Sequence, residues 1–271
     1  MRLQSNLARL RSSVAPAAVL VAVLATGLGG CQTMSDVTGS LGRSTQAAPT
    51  DPVRAAEIYG ERYRANPKDA AAALAYGKAL RANGQYAQAV AVLEQATLAN
   101  PSNKALLALY GRALADTGNF QQAFDVLTRA HSPDNPDWRI LSVQGTTLDQ
   151  LGRSEEARRY YASALKIVPG EPSVLSNLGM SYVLSKDLPK AEEVLRQAYG
   201  SSRADARVRQ NLALVVGLQG RFAEAEEIAK ADLPPEQAAA NVAYLREMLN
   251  RNDGPRGAAR ISSVPPVSRS N

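Results

Sequence analysis

The sequence predicts an all-α solenoid, a stack of helix hairpins with a 34-residue period, and three observations predict it. Small residues recur at that interval: Gly77, Gly111, Gly145 and Gly179, with Ala213 at the fifth place. Ala89, Ala123, Ala157, Ala191 and Ala225 keep the same step, as do Ala96, Ala130, Ala164 and Ala198. Within one period the apolar residues fall on two helical faces, Tyr76, Gly77 and Leu80 on one and Ala89, Leu93 and Ala96 on the other. Finally, Pro67, Pro101 and Pro169 stand where one hairpin hands over to the next, with Pro136 one residue late on the same series. Proline lacks the amide that a helix needs to continue.

Composition agrees. The 271 residues are 45% hydrophobic but only 5% aromatic, which is poor material for one large core and good material for close helix packing, since alanine is the best helix former. The formal charge is +6, and three of the positive charges, Arg2, Arg9 and Arg11, lie in a leader that is expected to be removed. The remaining basic residues are spread along the chain, without the clustered stripe of a nucleic-acid binder. No nucleic-acid partner is expected.

Residues 1–30 read as a secretory leader: an Arg-bearing start, an apolar run from Val14 to Leu28, and Gly29 and Gly30 before Cys31. The run is shorter than the roughly 20 residues of a spanning helix, so a retained anchor is the weaker reading. Cys31 is the sole cysteine, which excludes an intramolecular disulfide. Leu28-Gly29-Gly30-Cys31 resembles the lipobox of bacterial lipoproteins. That resemblance implies cleavage before Cys31, a diacylglyceryl group on its thiol and, with Gln32 rather than Asp following, residence in the outer membrane on its periplasmic face. Two or more acyl chains anchor a protein stably where one does not. Residues 31–51, rich in Ser, Thr, Gly, Gln and Ala, read as a flexible tether.

Residues 52–69 carry Ala55, Tyr59 and Pro67 and fit half a unit. Complete units follow at 70–103, 104–137, 138–171 and 172–205, with a fifth, shorter one at 206–235. Gly84, Gly118, Gly152 and Gly220 stand where the first helix of each unit closes, Gly84 after a helix ending near Asn83, and glycine there adopts the left-handed conformation of a helix stop. Lys186 alone breaks that series. Arg203 replaces the junction proline of the fourth unit. Pro234 and Pro235 come early in the fifth, so its second helix should end short. Residues 236–251 read as one amphipathic capping helix with Val242, Leu245 and Leu249 on a face, which covers the open end of a stack. The tail, 252–271, is broken by Gly254, Pro255, Gly257, Pro265 and Pro266 and is expected to be disordered.

The pattern of small and large residues resembles the tetratricopeptide repeat over about residues 52–235. The unit at 138–171 carries Gly145, Leu148, Ala157, Tyr161, Ala164 and Pro169 at that family's signature places, although Gln144 is a polar choice for place 7. The resemblance implies a right-handed superhelix of antiparallel helix pairs whose concave face binds proteins.

Catalytic chemistry is hard to find. His131 is the only histidine and sits at a unit boundary beside Ser132 and Pro133, where loop decoration accounts for it. Trp138 opens a unit, where packing accounts for it. The pairs Glu155-Glu156 and Glu192-Glu193 fall near the start of second helices, where negative charge suits the helix dipole. No metalloprotease, serine-hydrolase, phosphate-loop or Cys/His ligand motif occurs. The expectation is no enzyme, no cofactor and no metal.

In the repeat family, places 2, 5, 6, 9, 12 and 13 of each unit line the concave face. Here they hold Lys78, Arg81, Arg112, Arg139, Asn177, Arg207, Gln210 and Asn211. Such a row can hold an extended peptide, the amides bonding its backbone and the arginines forking to its carboxylates. Asp116 and Asp149 fall on the same places, as do the apolar Leu74, Leu109, Val143, Met180 and Leu214, which suggest a partly hydrophobic strip. The alternative is that all are ordinary solvated helix faces.

A Cys-Gln-Thr start, a short polar tether and about five repeats resemble the TadD lipoproteins of the Tad/Flp pilus-assembly apparatus. That resemblance implies an outer-membrane scaffold, held by a lipid anchor at Cys31, whose partners are a secretin or other pilus components. An envelope adaptor for peptidoglycan hydrolases or proteases is the alternative, and an enzyme without a known motif a more distant one.

Overall fold

A computed structural model of the chain describes residues 51–252. The leader, Cys31, the tether up to residue 50 and the tail beyond Asn252 lie outside the described residues. Those described form twelve α-helices: α1 (Pro52–Ala65), α2 (Ala70–Ala82), α3 (Tyr86–Ala99), α4 (Lys104–Asp116), α5 (Phe120–Ala130), α6 (Trp138–Gln150), α7 (Ser154–Ile167), α8 (Pro172–Leu184), α9 (Leu188–Tyr199), α10 (Ala206–Leu218), α11 (Phe222–Ala229) and α12 (Pro235–Asn252). Among the described residues extended pairing is limited to one isolated bridge, Ser132 with Asn135, in the α5–α6 loop. None of these helices is long and apolar enough to cross a membrane.

Each helix packs on its neighbour in sequence, and the even-numbered ones also pack on each other in a continuous row, α2 on α4 and onward to α10 on α12. The odd-numbered helices form no such row. A stack whose one row touches while the other is splayed must curve with the touching row inside. The first helices therefore line the concave side.

Helix starts repeat as regularly as the glycines. Asp69, Asn103, Asp137, Glu171 and Asp205 cap α2, α4, α6, α8 and α10, each accepting a bond from an amide in the first turn, from Ala71 N at 2.8 Å in α2 and Arg139 N at 2.8 Å in α6. Each satisfies a donor that the helix leaves open. Helix ends repeat too. Gly84, Gly118, Gly152 and Gly220 follow the first helices with φ between 73° and 82°. Lys186, on the same series, is held at φ 62°. The turn between paired helices imposes the left-handed conformation whatever residue occupies it. α11 stops at Ala229, before Pro234.

Close helix crossing within a unit depends on the small residue at place 8. A Cβ on Gly145 would stand 2.5 Å from Tyr161 Cε1, and one on Gly111 2.5 Å from Leu127 Cγ. Leu93 and Leu195 press against Gly77 and Gly179 in the same way. In the fifth unit both partners change together: Ala213 replaces glycine and Ala229 replaces the large residue, and the two share a small cluster with Ala238. At the end of the stack, Leu245 of α12 lies against Gly217 of α10. Val242, Leu245 and Leu249 are half-buried while Tyr244, Arg246 and Glu247 are exposed, the amphipathic face expected of a capping helix.

Burial corrects two expectations. Asp149 is not on the open groove: it is buried, accepting from Tyr161 Oη at 2.8 Å and Ser181 Oγ at 2.8 Å. Its carboxylate ties α6, α7 and α8 together. Leu109 is buried as well, leaving it unavailable to a ligand. The polar Gln144 at place 7 is fully buried and satisfied, donating to Thr128 Oγ1 at 3.1 Å and accepting from His131 Nε2 at 3.0 Å. His131 is thus a packing partner between units. Glu155 and Glu156 occupy the first turn of α7, but Glu192 and Glu193 lie a turn inside α9. There Glu192 pairs with Arg221 and with Arg196, which also reaches Glu224. Glu192 thus links neighbouring units, and neither glutamate stands in the first turn of α9.

Candidate protein-binding groove

The concave row opens into a hollow of about 550 Å³ over α4, α6 and α8. Five of the eight residues singled out by the repeat register line it: Arg81, Arg112, Arg139, Asn177 and Arg207. Each comes from a first helix, and the 34-residue spacing stacks those helices side by side. Arg81 is held by Asp116 of the next unit, Nε to Oδ2 at 2.6 Å. The Arg139 guanidinium lies over the Trp138 ring, 4.4 Å from its centroid, a cation–π contact that leaves its N–H groups open to a ligand. Arg112 lies deeper, and its Nε is buried with no hydrogen-bond partner. Burial lowers its pKa, and the charges of Arg81 and Arg139 lower it further, against the opposing pull of Asp137 and Asp116. Such a guanidinium is short of negative charge.

The other three residues are placed differently. Lys78 is exposed on α2, outside this hollow. Gln210 lines a second hollow between α10 and α12. Asn211 donates its side-chain amide to Ser176 Oγ at 2.9 Å, and Asn177 donates to Ser142 Oγ at 3.0 Å. These amides therefore serve first as rungs between units; Asn177 also faces the hollow. Of the apolar strip, Val143 lines the basic hollow and Leu214 the second one.

Trp138, Phe120 and Thr146 also line the basic hollow. Trp138 and Thr146 stand at places 1 and 9 of their unit. Place 1 is outside the family's concave positions, so the register gives no signal for Trp138, and packing describes only part of what it does. It is half-buried against the Leu141 and Tyr161 cluster while its ring supports Arg139.

With this geometry established, comparison with known proteins decides the family of fold. Residues 51–130 match the family model described as anaphase-promoting complex, cyclosome, subunit 3, and residues 142–206 match a tetratricopeptide-repeat model. The fold is a tetratricopeptide-repeat solenoid. No curated protein sequence matches the chain. Among solved structures, the solenoid is similar to PilW, a widely conserved type IV pilus biogenesis factor, with a TM-score of 0.61 at 17% identity over 71% of this chain and 91% of that one. It is also similar to TTC0263, a thermophilic tetratricopeptide-repeat protein of Thermus thermophilus, with a TM-score of 0.56 at 23% identity over 64% and 96% of the two chains. The Cut9-Hcn1 hetero-tetramer of the APC/C gives a TM-score of 0.58 at 17% identity; 73% of this chain matches, but it spans only 40% of that larger chain. At these identities the likeness is one of fold. Tetratricopeptide-repeat solenoids are protein-interaction scaffolds.

Proposed function

We propose that the chain is a lipid-anchored envelope scaffold that holds protein components of a Tad/Flp-type pilus in its concave row while they assemble, and performs no chemistry of its own. The observation that carries the binding part is the arginine-lined hollow, in which Arg112, Arg139 and Arg207 enter no ion pair among the described residues. Charge left unpaired in a concave surface is available to a partner's carboxylates.

Support for the envelope part comes from the sequence: the leader, the lipobox ending in Cys31, Gln32 after it, and the tether. A pilus role is supported by the same sequence resemblance, and the pilus biogenesis factor PilW shares the solenoid fold. A secretin or another pilus component is the expected partner. The experiment is capture of partners from cells making the chain with Arg112, Arg139 and Arg207 each changed to Glu. Loss of captured pilus components from a chain that still folds supports the proposal, and undiminished capture moves the binding surface off the concave row.

A further inference from the structure

The helix stack carries two hollows of opposite chemistry, and the inference drawn from them rests on the protein-binding reading above. The first is basic. Arg81, Arg112, Arg139 and Arg207 surround it, and Asp116 neutralises only Arg81. A buried guanidinium N–H without an acceptor, such as Arg112 Nε, is costly to leave unmade. A carboxylate entering from a ligand would supply both the acceptor and the missing charge.

The second hollow, about 610 Å³, lies between α10 and α12. Leu214, Leu218, Leu233, Tyr244, Leu245 and Met248 line it, and its polar lining is confined to Gln210, Asn241 and the Tyr244 hydroxyl. Tyr244 is 61% exposed, Met248 41% and Leu214 36%. Apolar side chains gathered in a concave place and left open to water mark a surface that a partner covers. Both hollows draw on α10: Arg207 lines the first, and Gln210, about one turn on, lines the second.

We propose that the two form one bipartite groove for an extended peptide segment, with acidic residues on the arginines of α4 and α6 and apolar residues between α10 and α12. The first-helix axes stand about 10 Å apart, so α6 and α10 are separated by roughly 20 Å. An extended chain rising ~3.3 Å per residue covers that distance in about six residues. The required ligand is therefore a segment whose acidic and apolar clusters lie about six residues apart. A nucleic acid fits less well, because the α10–α12 hollow offers no cation to its phosphates.

The test is fluorescence anisotropy on the full chain with labelled synthetic peptides. One carries three Glu and three Leu separated by six Gly/Ser residues, made in both orders; the controls carry the acidic or the apolar half alone. The composite in one order should bind at least tenfold tighter than either half. Arg112→Glu with Arg139→Glu should abolish the contribution of the acidic half and spare that of the apolar half. Leu214→Asp with Tyr244→Asp should do the reverse. These last two side chains face solvent, and an unchanged melting curve verifies that the variants fold. A composite no tighter than its halves overturns the proposal, as does equal competition by an oligonucleotide of the same charge. Self-association of the chain that Leu214→Asp abolishes also overturns it, by giving the apolar hollow to a second copy. If the peptides fail while the arginine variants still lose their cellular partners, the bipartite chemistry falls and the protein-binding reading stands. If those variants keep their partners, that reading falls too.

Discussion

The Tyr161 hydroxyl donates to Asp149 Oδ2 at 2.8 Å, across the interface between the two helices of one unit, while Ser181 of the next unit donates to Oδ1 of the same carboxylate at 2.8 Å. A buried negative charge is thus satisfied by two neutral donors, and both must be present for it to remain buried cheaply.

Tyr161→Phe removes one donor and keeps the ring. The expected loss is about 1–3 kcal/mol of stability, read by urea denaturation. The same pair has an alkaline signature. Burial first, and then the Asp149 charge and hydrogen bond, raise the Tyr161 pKa in the folded chain far above its ordinary 10.0. Above pH 10 the unfolded chain loses this proton and the folded chain keeps it, so stability is full below that pH and falls as pH rises, by up to ~1.4 kcal/mol per pH unit. Tyr161→Phe should make that decline shallower; an identical alkaline slope in the two chains would show that the phenol is not held in this way.

Lys186 occupies a position where the other units carry glycine, at φ 62°. Lys186→Gly should relieve the left-handed strain and stabilise the chain by roughly 1 kcal/mol, seen as a rise in Tm. A fall in Tm would mean that the lysine side chain contributes more than its backbone costs.

Gly145→Leu should act in the opposite direction. Even a Cβ there meets the Tyr161 ring at 2.5 Å, and the ring is fully buried with nowhere to move. Overpacking of this kind costs about 1–3 kcal/mol, and sometimes more. An unchanged melting curve would contradict the helix register.

Cys31→Ser tests the membrane anchor. On the proposed lipid anchoring, the wild-type chain should fractionate with the outer membrane, and the variant should accumulate instead as an unprocessed, larger precursor. Normal processing and normal fractionation would refute the lipobox.

Much of the fold is legible in the sequence because a repeat states each requirement several times. The series through Gly84 marks helix ends, the series through Gly77 marks close crossings, and Pro234 foreshadows the short α11. The capping series Asp69, Asn103, Asp137, Glu171 and Asp205 is harder to read, since three residue types share one physical task, accepting a bond from an open amide. The candidate groove is only half legible. Register selects the residues that face inward, but it does not say which of them a neighbouring unit engages. Asn177 with Ser142, Asn211 with Ser176, and Asp149 with Tyr161 and Ser181 are settled by distances between units, and those depend on how closely helices stack. Trp138 escapes for a related reason: it lies outside the usual concave places and reaches the groove by supporting Arg139.

Whether the concave row holds other proteins is tested most directly by site-specific photocrosslinking in intact cells. A photoreactive residue would replace Val143 in the groove or, as the comparison, the exposed Leu98 on the second helix α3. Discrete adducts with envelope proteins from position 143, identified by mass spectrometry and absent from position 98, are the predicted result. Adducts from position 98 with none from position 143 would contradict it.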